Sequence, residues 1–523
     1  MSTESKWEEE AEVIVVGYGG AGVVTAINAH DAGARVLILE KQPADTPTQT
    51  RHTPSTRMSG GGWFWPEDKH DVVIYMEALT RAASEPLTPE RKEQISVFAD
   101  YLASNMDWMN KIGVPTPGEE SINPVWKHQP GTKVVGGRLY RAEFPEFPGS
   151  ACCCNISAAT LGKFNHGPAF FKHISHAMED RGIPVLWETQ AIHLVTEGGA
   201  VRGVVASSRG KEIRIRASRA VVLTCGGFEY NEWMKENYLR AYPVYFTGNP
   251  ANTGDGVNMG LEVGAALWHM NKTSWRTVMK FPELPCAFST QNHETSSIFV
   301  DKRGKRFTTE RYKGHAFGYE LTNYDCFAHC YPKVPCYWIF DERRRVHSAL
   351  AFEAGACNPP GGIMGDIFYR WSKDNEKEID RGWIMKANTI EQLAAKILAD
   401  PDNNGLMSSS VLTATVKQYN EYCRNGEDLD FHKGKDWLQP IETPPYYAVK
   451  LWPGGPNTQG GPKRNVKGQI VHPDNSPIPR LYSAGELGSI YGMLYPVGGG
   501  NLAECIAFGR ISGANAAAEK LWK

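Results

Sequence analysis

Between Ala11 and Glu40 the chain reads AEVIVVGYGGAGVVTAINAHDAGARVLILE, and few other segments limit its fold as tightly. Ala11 to Val16 is an apolar run of the length and composition of a buried strand. Gly17-Tyr18-Gly19-Gly20-Ala21-Gly22 follows, then a small-residue helical stretch from Ala21 to Ala32, then a second apolar strand from Arg35 to Leu39 ending in Glu40. In this order each glycine has its own task. Gly17 permits the tight turn, Gly19 lets a pyrophosphate approach the backbone, and Gly22 lets helix and strand pack closely. The helix N-terminus then offers its partial positive charge to phosphate. Glu40, 23 residues after Gly17, is placed to accept from a ribose 2′-hydroxyl. A dinucleotide site built from Gly17, Gly19, Gly20, Ala21, Gly22, Glu40 and Lys41 is therefore expected.

The 523 residues suggest two or three domains. Lys plus Arg is 56 against 58 Asp plus Glu, a formal charge of −2, which argues against a nucleic-acid or anionic-membrane partner. With 41% apolar and 22% charged residues the chain is not a disordered one. No apolar run reaches the roughly 20 residues of a membrane span. The acidic start, MSTESKWEEEAE, lacks a leader pattern, so a cytoplasmic protein is expected. In that setting the 11 cysteines argue against disulfides. No Cys-x-x-Cys-His is present, and Cys326, His329, Cys330 and Cys336 fit no common zinc spacing, so no metal is expected. Nothing in the sequence assigns a chemistry to the run Cys152-Cys153-Cys154.

Further along, Thr56 to Gly62 is a second glycine segment, followed by Trp63-Phe64-Trp65-Pro66. Helical periodicity covers 69–84 and 88–112, residues 113–150 read as a long Pro- and Gly-rich loop, and a helix is predicted over 159–181. Residues 185–223 are β-rich and end in Val221-Val222-Leu223-Thr224-Cys225-Gly226-Gly227-Phe228, an apolar strand running into paired glycines. Residues 286–440 change character, with many aromatics and mixed periodicity, and read as a separate α+β lobe. Strand and glycine patterns return at 443–452, a hairpin is predicted over 469–479, and an Ala-rich helix runs from about Asn501.

Taken in order, Gly17-x-Gly19-x-x-Gly22 with Glu40, Ser59-Gly60-Gly61, Leu223 to Phe228, and Leu481-Tyr482-Ser483-Ala484-Gly485-Glu486 resemble the fumarate reductase/succinate dehydrogenase flavoprotein superfamily, which includes the 3-ketosteroid dehydrogenases. The resemblance spans essentially the whole chain. It implies an α/β fold: a Rossmann-like FAD-binding domain, 1–285 and 441–523, interrupted by an α+β capping domain at 286–440 that holds substrate against the flavin. It also implies FAD held non-covalently by the residues named above together with Ser59, Gly60, Gly61, Gly226, Gly227, Asp255, Gly485, Glu486, Asn501 and Leu502. Glu486 would bond the ribityl chain, Asp255 would lie on the adenine side, and the helix opened by Asn501 and Leu502 would face the flavin's pyrimidine end.

Two segments bear on the reaction. Gly304-Lys305-Arg306-Phe307-Thr308-Thr309-Glu310-Arg311-Tyr312 resembles the family's "Gly-x-Arg-Phe-x-x-Glu" stretch, after which fumarate reductases carry a catalytic arginine and ketosteroid dehydrogenases a tyrosine; this chain has both Arg311 and Tyr312. Tyr495-Pro496-Val497-Gly498-Gly499 is similar to the "Tyr-Pro-Gly-x-Gly" segment with which ketosteroid Δ1-dehydrogenases hold the substrate ketone, Val497 standing where that segment has glycine. The resemblance thus implies a dehydrogenase of a cyclic ketone, of 3-ketosteroid or cyclohexanone type. Tyr495 hydroxyl and Gly499 N–H would stabilise the enolate, Tyr312 would take the α proton, and the β hydrogen would pass as hydride to flavin N5. Arg311 would lower the pKa of Tyr312, and an external acceptor would collect the electrons. The alternative is a fumarate-reductase-like enoate or enone reductase with Arg311 as proton donor. Each residue also has a plainer reading: Tyr312 on the cap surface, Arg311 paired with an acid, Trp63 and Trp65 as core aromatics, Tyr140 as a loop phenol. His52-Thr53 precedes the paired glycines by a longer gap than in succinate dehydrogenases that attach FAD covalently, so His52 is read as a loop histidine.

Overall fold

The apolar run at the front becomes the middle of a sheet. In the computed structural model, which describes residues 6–115, 118, 132–291, 296–310, 314–359 and 367–522, strand β1 (Glu9–Val16) leads through helix α1 (Gly20–Asp31) to β2 (Val36–Leu39), and β1 and β2 pair in parallel. On its other side β1 pairs in parallel with β3 (Lys211–Leu223), which pairs in parallel with β4 (Pro477–Ser483). Parallel strands covered on both faces read as continuous apolar runs, and Val13 to Val15 and Val221 to Leu223 are fully buried. Helix α2 (Gly500–Ala518) packs along α1 over this sheet. An antiparallel ribbon of Thr189–Glu197 and Ala200–Ser208 continues from the first half of β3.

A second sheet of seven strands is organised around Tyr446–Gly455. That strand pairs in parallel with Tyr245–Phe246, and antiparallel with Arg276–Met279, Cys336–Asp341 and Met385–Ala387. Its strands come from both sides of the boundaries expected at 285/286 and 440/441. Cys336–Asp341 is buried along its whole length. Ile390–Leu398 and Ser409–Asn425 bury Leu393, Ile397, Leu412 and Val416 with Ile339, on one side of that strand. Phe281, Phe288, Trp371 and Trp383 pack with Trp338 and Phe340, whose side chains alternate to the other.

Three sequence expectations are corrected. The stretch 113–150 is not loop throughout: Lys133–Val135 and Arg138–Tyr140 form a hairpin joined through Cys154–Ser157 to Gly62–Phe64. Its turn, Gly136-Gly137, has φ of +54° and +76°, the two positive values of a tight hairpin turn, and Gly-Gly is itself a signal for one. The helix predicted over 159–181 is shorter, His166–Glu179, because Leu161 and Phe164 form a local bridge ahead of it. Cys286 and Cys357 form a disulfide within the aromatic core of the second sheet, against the expectation of free thiols. An inference from compartment says nothing about which thiols the fold brings together. The helices predicted at 69–84 and 88–112 form as Lys69–Ala82 and Pro89–Lys111, capped by Asp68 and Thr88. Among the described residues no helix is long and apolar enough to cross a membrane.

Candidate functional site

The three glycines after β1 separate by what surrounds them. Gly17 has φ +106°, and a Cβ there would lie 2.6 Å from the Thr224 carbonyl oxygen. A Cβ on Gly22 would lie 1.9 Å from the Gly17 carbonyl oxygen, so the contact between helix and turn excludes any side chain. Gly19 differs: the nearest atom to its Cβ position is in Pro54, 3.9 Å away. Gly19 faces an open cleft of about 760 Å³. The cleft brings together Gly17, Gly19, Gly20, Ala21, Glu40, Lys41, Gly226, Asp255, Gly485 and Glu486, all expected from the sequence, with Thr56, Cys225 and Asn252, which were not.

Glu40 sits at one end of the cleft. Its carboxylate accepts the N–H groups of Tyr18 (2.8 Å) and Gln42 (2.7 Å), and His52 Nε2 lies 3.5 Å away. Burial opposes its charge, but His52, Gln42 and Tyr18 together hold its pKa below the ordinary carboxylate range. His52 is 2% exposed, stacked on Tyr18 at 5.2 Å and edged by Trp187. It therefore supports Glu40 from within the protein. Lys41 Nζ bonds Asp255 and Thr253, each at 2.8 Å, on the cleft wall. Glu486 accepts from the Gly227 N–H (2.9 Å) and Asn252 Nδ2 (3.0 Å). Burial, and next the charge of Glu229, push the Glu486 carboxyl well above its ordinary range, and burial raises Glu229 as well. Such a pair favours one negative charge over two.

Ser59, Gly60 and Gly61 do not border this cleft. Ser59 Oγ donates to the Thr56 carbonyl (2.7 Å) and accepts from Gly61 N–H (3.1 Å), and a Cβ on Gly61 would meet the His166 backbone at 2.1 Å. Trp63 is fully buried against Phe170, and Trp65 lies under the Arg138 guanidinium at 3.8 Å. Tyr140 is a half-buried strand residue.

A second polar centre lies at the start of α2. Tyr495 Oη accepts the Asn501 N–H at 2.7 Å, and among the described residues its own proton has no acceptor and is free to be donated. Burial raises its pKa far above the ordinary phenol value, so it remains protonated. Gly499 has φ +83°, and its N–H makes no hydrogen bond among the described residues. Asn501 Nδ2 bonds Asn457 Oδ1 at 2.8 Å, and Leu502 enters the core beneath the helix. The loop carrying Tyr495 is held from outside: Ala142 bridges Val497, Glu143 N–H donates to the Pro496 carbonyl (3.0 Å), and Tyr75 hydroxyl donates to the same oxygen (2.9 Å).

His315 packs on Tyr495 with ring centroids 4.5 Å apart. Desolvation, and next Arg276, lower its pKa, so it is neutral. Neutral His315 donates from Nδ1 to Glu143 (3.0 Å) and accepts at Nε2 from Arg276 Nε and Nη2 (3.3 and 3.2 Å). Burial disfavours the Glu143 charge, but His315, Arg141 and Arg276 outweigh it and bring its pKa down to about 2. Glu143 and His315 are 172 residues apart, and no spacing rule links them. Arg311 and Tyr312 lie outside the described residues.

The family described as FAD binding domain matches residues 12–502. The 3-oxosteroid 1-dehydrogenase of Mycobacterium tuberculosis (strain ATCC 25618 / H37Rv) is 28% identical, with 96% of this chain and 98% of that protein aligned. Among solved structures, 3-ketosteroid delta1-dehydrogenase from Sterolibacterium denitrificans in complex with 1,4-androstadiene-3,17-dione superposes with a TM-score of 0.75 at 22% identity, covering 98% of this chain and all of that one. The open conformation of a flavocytochrome c3 fumarate reductase superposes with a TM-score of 0.66, also at 22% identity, covering 98% and 79%. At these identities the structural likeness speaks for the fold.

Proposed function

The chain belongs to the FAD binding domain family, and from that premise we propose that it is a dehydrogenase that introduces a C=C bond beside the carbonyl of a cyclic ketone. That it is an FAD-dependent oxidoreductase acting on CH–CH groups follows from the family and its relatives; the ketone, the direction and the residue roles are our reading. The cleft residues suit the cofactor: the space over Gly19 admits a pyrophosphate, the α1 N-terminus favours its charge, and Glu40 is an ionised acceptor for the adenosine ribose. FAD is held non-covalently in this reading.

The observation that carries the proposal is at Tyr495. Its oxygen is engaged by the Asn501 N–H while, among the described residues, its proton is unspent and the Gly499 N–H in the same loop is also free. Two donors with no acceptor among the described residues suit an oxygen that becomes more negative during reaction. Placed on a ketone oxygen, they withdraw charge and acidify the α C–H. Bound FAD supplies the two-electron acceptor, and an external partner then takes the electrons. The base is assigned to Tyr312 from the sequence, with Arg311 as the cation that lowers its pKa. A fumarate-reductase-like direction is the competing reading. Under anaerobic conditions, bleaching of the bound flavin by a saturated cyclic ketone supports the dehydrogenase. No bleaching, with reoxidation of reduced enzyme by an unsaturated acid, overturns it.

A further inference from the structure

The helix Pro89–Lys111 opens with a charge that helix physics disfavours there. Thr88 caps it by accepting the Arg91 N–H at 3.1 Å, so Arg91 lies in the first turn, where the helix end is already positive. Its guanidinium finds no compensation. The side chain makes no hydrogen bond and no ion pair among the described residues, and Nη1 is sealed from solvent without an acceptor. Burial lowers its pKa, with the charges of Glu85 and Glu504 opposing, and an arginine remains charged under such conditions. Both acids are matched by other cations. Glu85 pairs with Lys272 (3.2 Å) and accepts the Met493 N–H (2.9 Å). Glu504 pairs with Arg464 and accepts from Ser489 Oγ (2.5 Å) and the Ile490 N–H (2.7 Å). His269, whose pKa is pushed down by burial and next by Arg91, is neutral. Three cations therefore face two carboxylates, and Arg91 is the one left over.

Arg91 borders a small recess behind the segment 491–496, walled by Met76, Leu79, Leu494 and Pro496. The hydroxyls on its wall are spent within the protein: Thr80 donates to the Met76 carbonyl (2.8 Å) and Tyr491 to the Gly500 carbonyl (3.0 Å). Gly492 and Leu494 also border the recess, and their N–H groups have no acceptor among the described residues. One unmatched cation and two idle N–H groups at one apolar recess make a site for negative charge. The apolar walls set its valence, because the cost of stripping water from an ion rises steeply with its charge, and a guanidinium is itself weakly hydrated. We propose that this recess binds a small monovalent anion of the halide class on Arg91, with the Gly492 and Leu494 N–H groups as further donors. Tyr495 does not border the recess, so the anion is no part of the substrate and the inference does not depend on the ketone reading. The anion braces from behind the segment that leads into Tyr495.

The test melts the FAD-loaded enzyme in rising sodium bromide at constant ionic strength, with gluconate as the replaced anion. The melting temperature of wild type should rise along a saturating curve. Arg91→Gln should move its half-point roughly 10- to 100-fold higher, the loss expected for one charge-assisted contact. Arg91→Lys, which keeps the charge without the planar fork, should retain part of the response. Wild-type crystals grown in bromide should show an anomalous peak in the recess, a readout that needs no variant to fold. The proposal is overturned by a wild-type response that fails to saturate, by an unchanged response in Arg91→Gln, or by bromide found at surface sites only. A stabilisation given by sulfate and not by bromide would overturn the assignment to a monovalent anion.

Discussion

Replacing Gly19 and Gly22 separately by alanine should give two different failures from the same added methyl group. At Gly22 the methyl carbon would sit 1.9 Å from the Gly17 carbonyl oxygen and 2.9 Å from Thr224 Oγ1. A normal carbon–oxygen contact is wider by more than 1 Å, so α1 must move off the turn after β1. Overpacking of this kind costs about 1–3 kcal/mol or more, and the roughly 1 kcal/mol that alanine gains over glycine within a helix offsets part of it. Gly22→Ala apoprotein should therefore unfold at lower temperature than wild-type apoprotein. At Gly19 the backbone is extended, φ −96°, and the methyl enters empty cleft. Alanine is a poorer N-cap by at most about 1 kcal/mol, so Gly19→Ala apoprotein should melt close to wild type. What it loses is the approach of the pyrophosphate to backbone N–H groups, each such charge-assisted bond being worth about 1.5–3 kcal/mol. Losing one or two should weaken FAD by roughly 10- to 10⁴-fold. The assay is thermal unfolding of the apoproteins alongside titration with FAD by quenching of flavin fluorescence. Wild-type affinity in Gly19→Ala, or wild-type melting in Gly22→Ala apoprotein, would refute the division of labour among these glycines.

Tyr495→Phe should lower kcat on a ketone substrate about 10²–10³-fold, the usual loss for one oxyanion donor, at unchanged FAD content; unaltered turnover would place the carbonyl elsewhere. Acid precipitation should release FAD into the supernatant, because His52 is enclosed behind Glu40; yellow colour retained in the pellet would contradict this. Glu143, held near 2 against an ordinary value of 4.5, contributes stability that is present above about pH 4.5 and lost as pH falls toward 2. The span corresponds to about 3 kcal/mol at most, of which about 2 kcal/mol should be gone by pH 3. Unfolding of wild type and Glu143→Gln compared across pH 7 to 3 should show their difference shrinking; a constant difference would mean that Glu143 is not held ionised.

Local rules were enough for the nucleotide end of the cleft. Gly17, Gly19 and Gly22 lie within one turn and Glu40 follows one helix and one strand later, so chain geometry alone brings them together. Glu486 and Asp255 were reached through resemblance, and both line the cleft. Elsewhere a motif and its cause parted company: Gly61 has no side chain because the His166 backbone lies against it, not because it borders this cleft. The centre around Tyr495 was half legible. Tyr495 and Gly499 sit in one short segment, whereas Glu143, Arg276 and His315 meet only through the pairing of 142–143 with 496–497 and the packing of the second sheet, contacts that no periodicity records. The disulfide escaped for a related reason, since its cysteines are 71 residues apart.

The hydrogen bond from Asn501 N–H to Tyr495 Oη closes a ring over the seven residues 495–501, and Ala142 and Glu143 clamp it from the side. A ring of that kind responds differently to changes of identity and of length. At Gly498, where a Cβ would meet nothing within 4 Å, a new side chain alters what the pocket admits while the closing bond survives. A residue inserted or removed between Tyr495 and Asn501 shifts the phenol off the helix end and slips the pairing with Ala142. In descendants of this chain, substrate range should therefore drift by substitution at Gly498, while the spacing from Tyr495 to Asn501 stays fixed wherever the activity is kept.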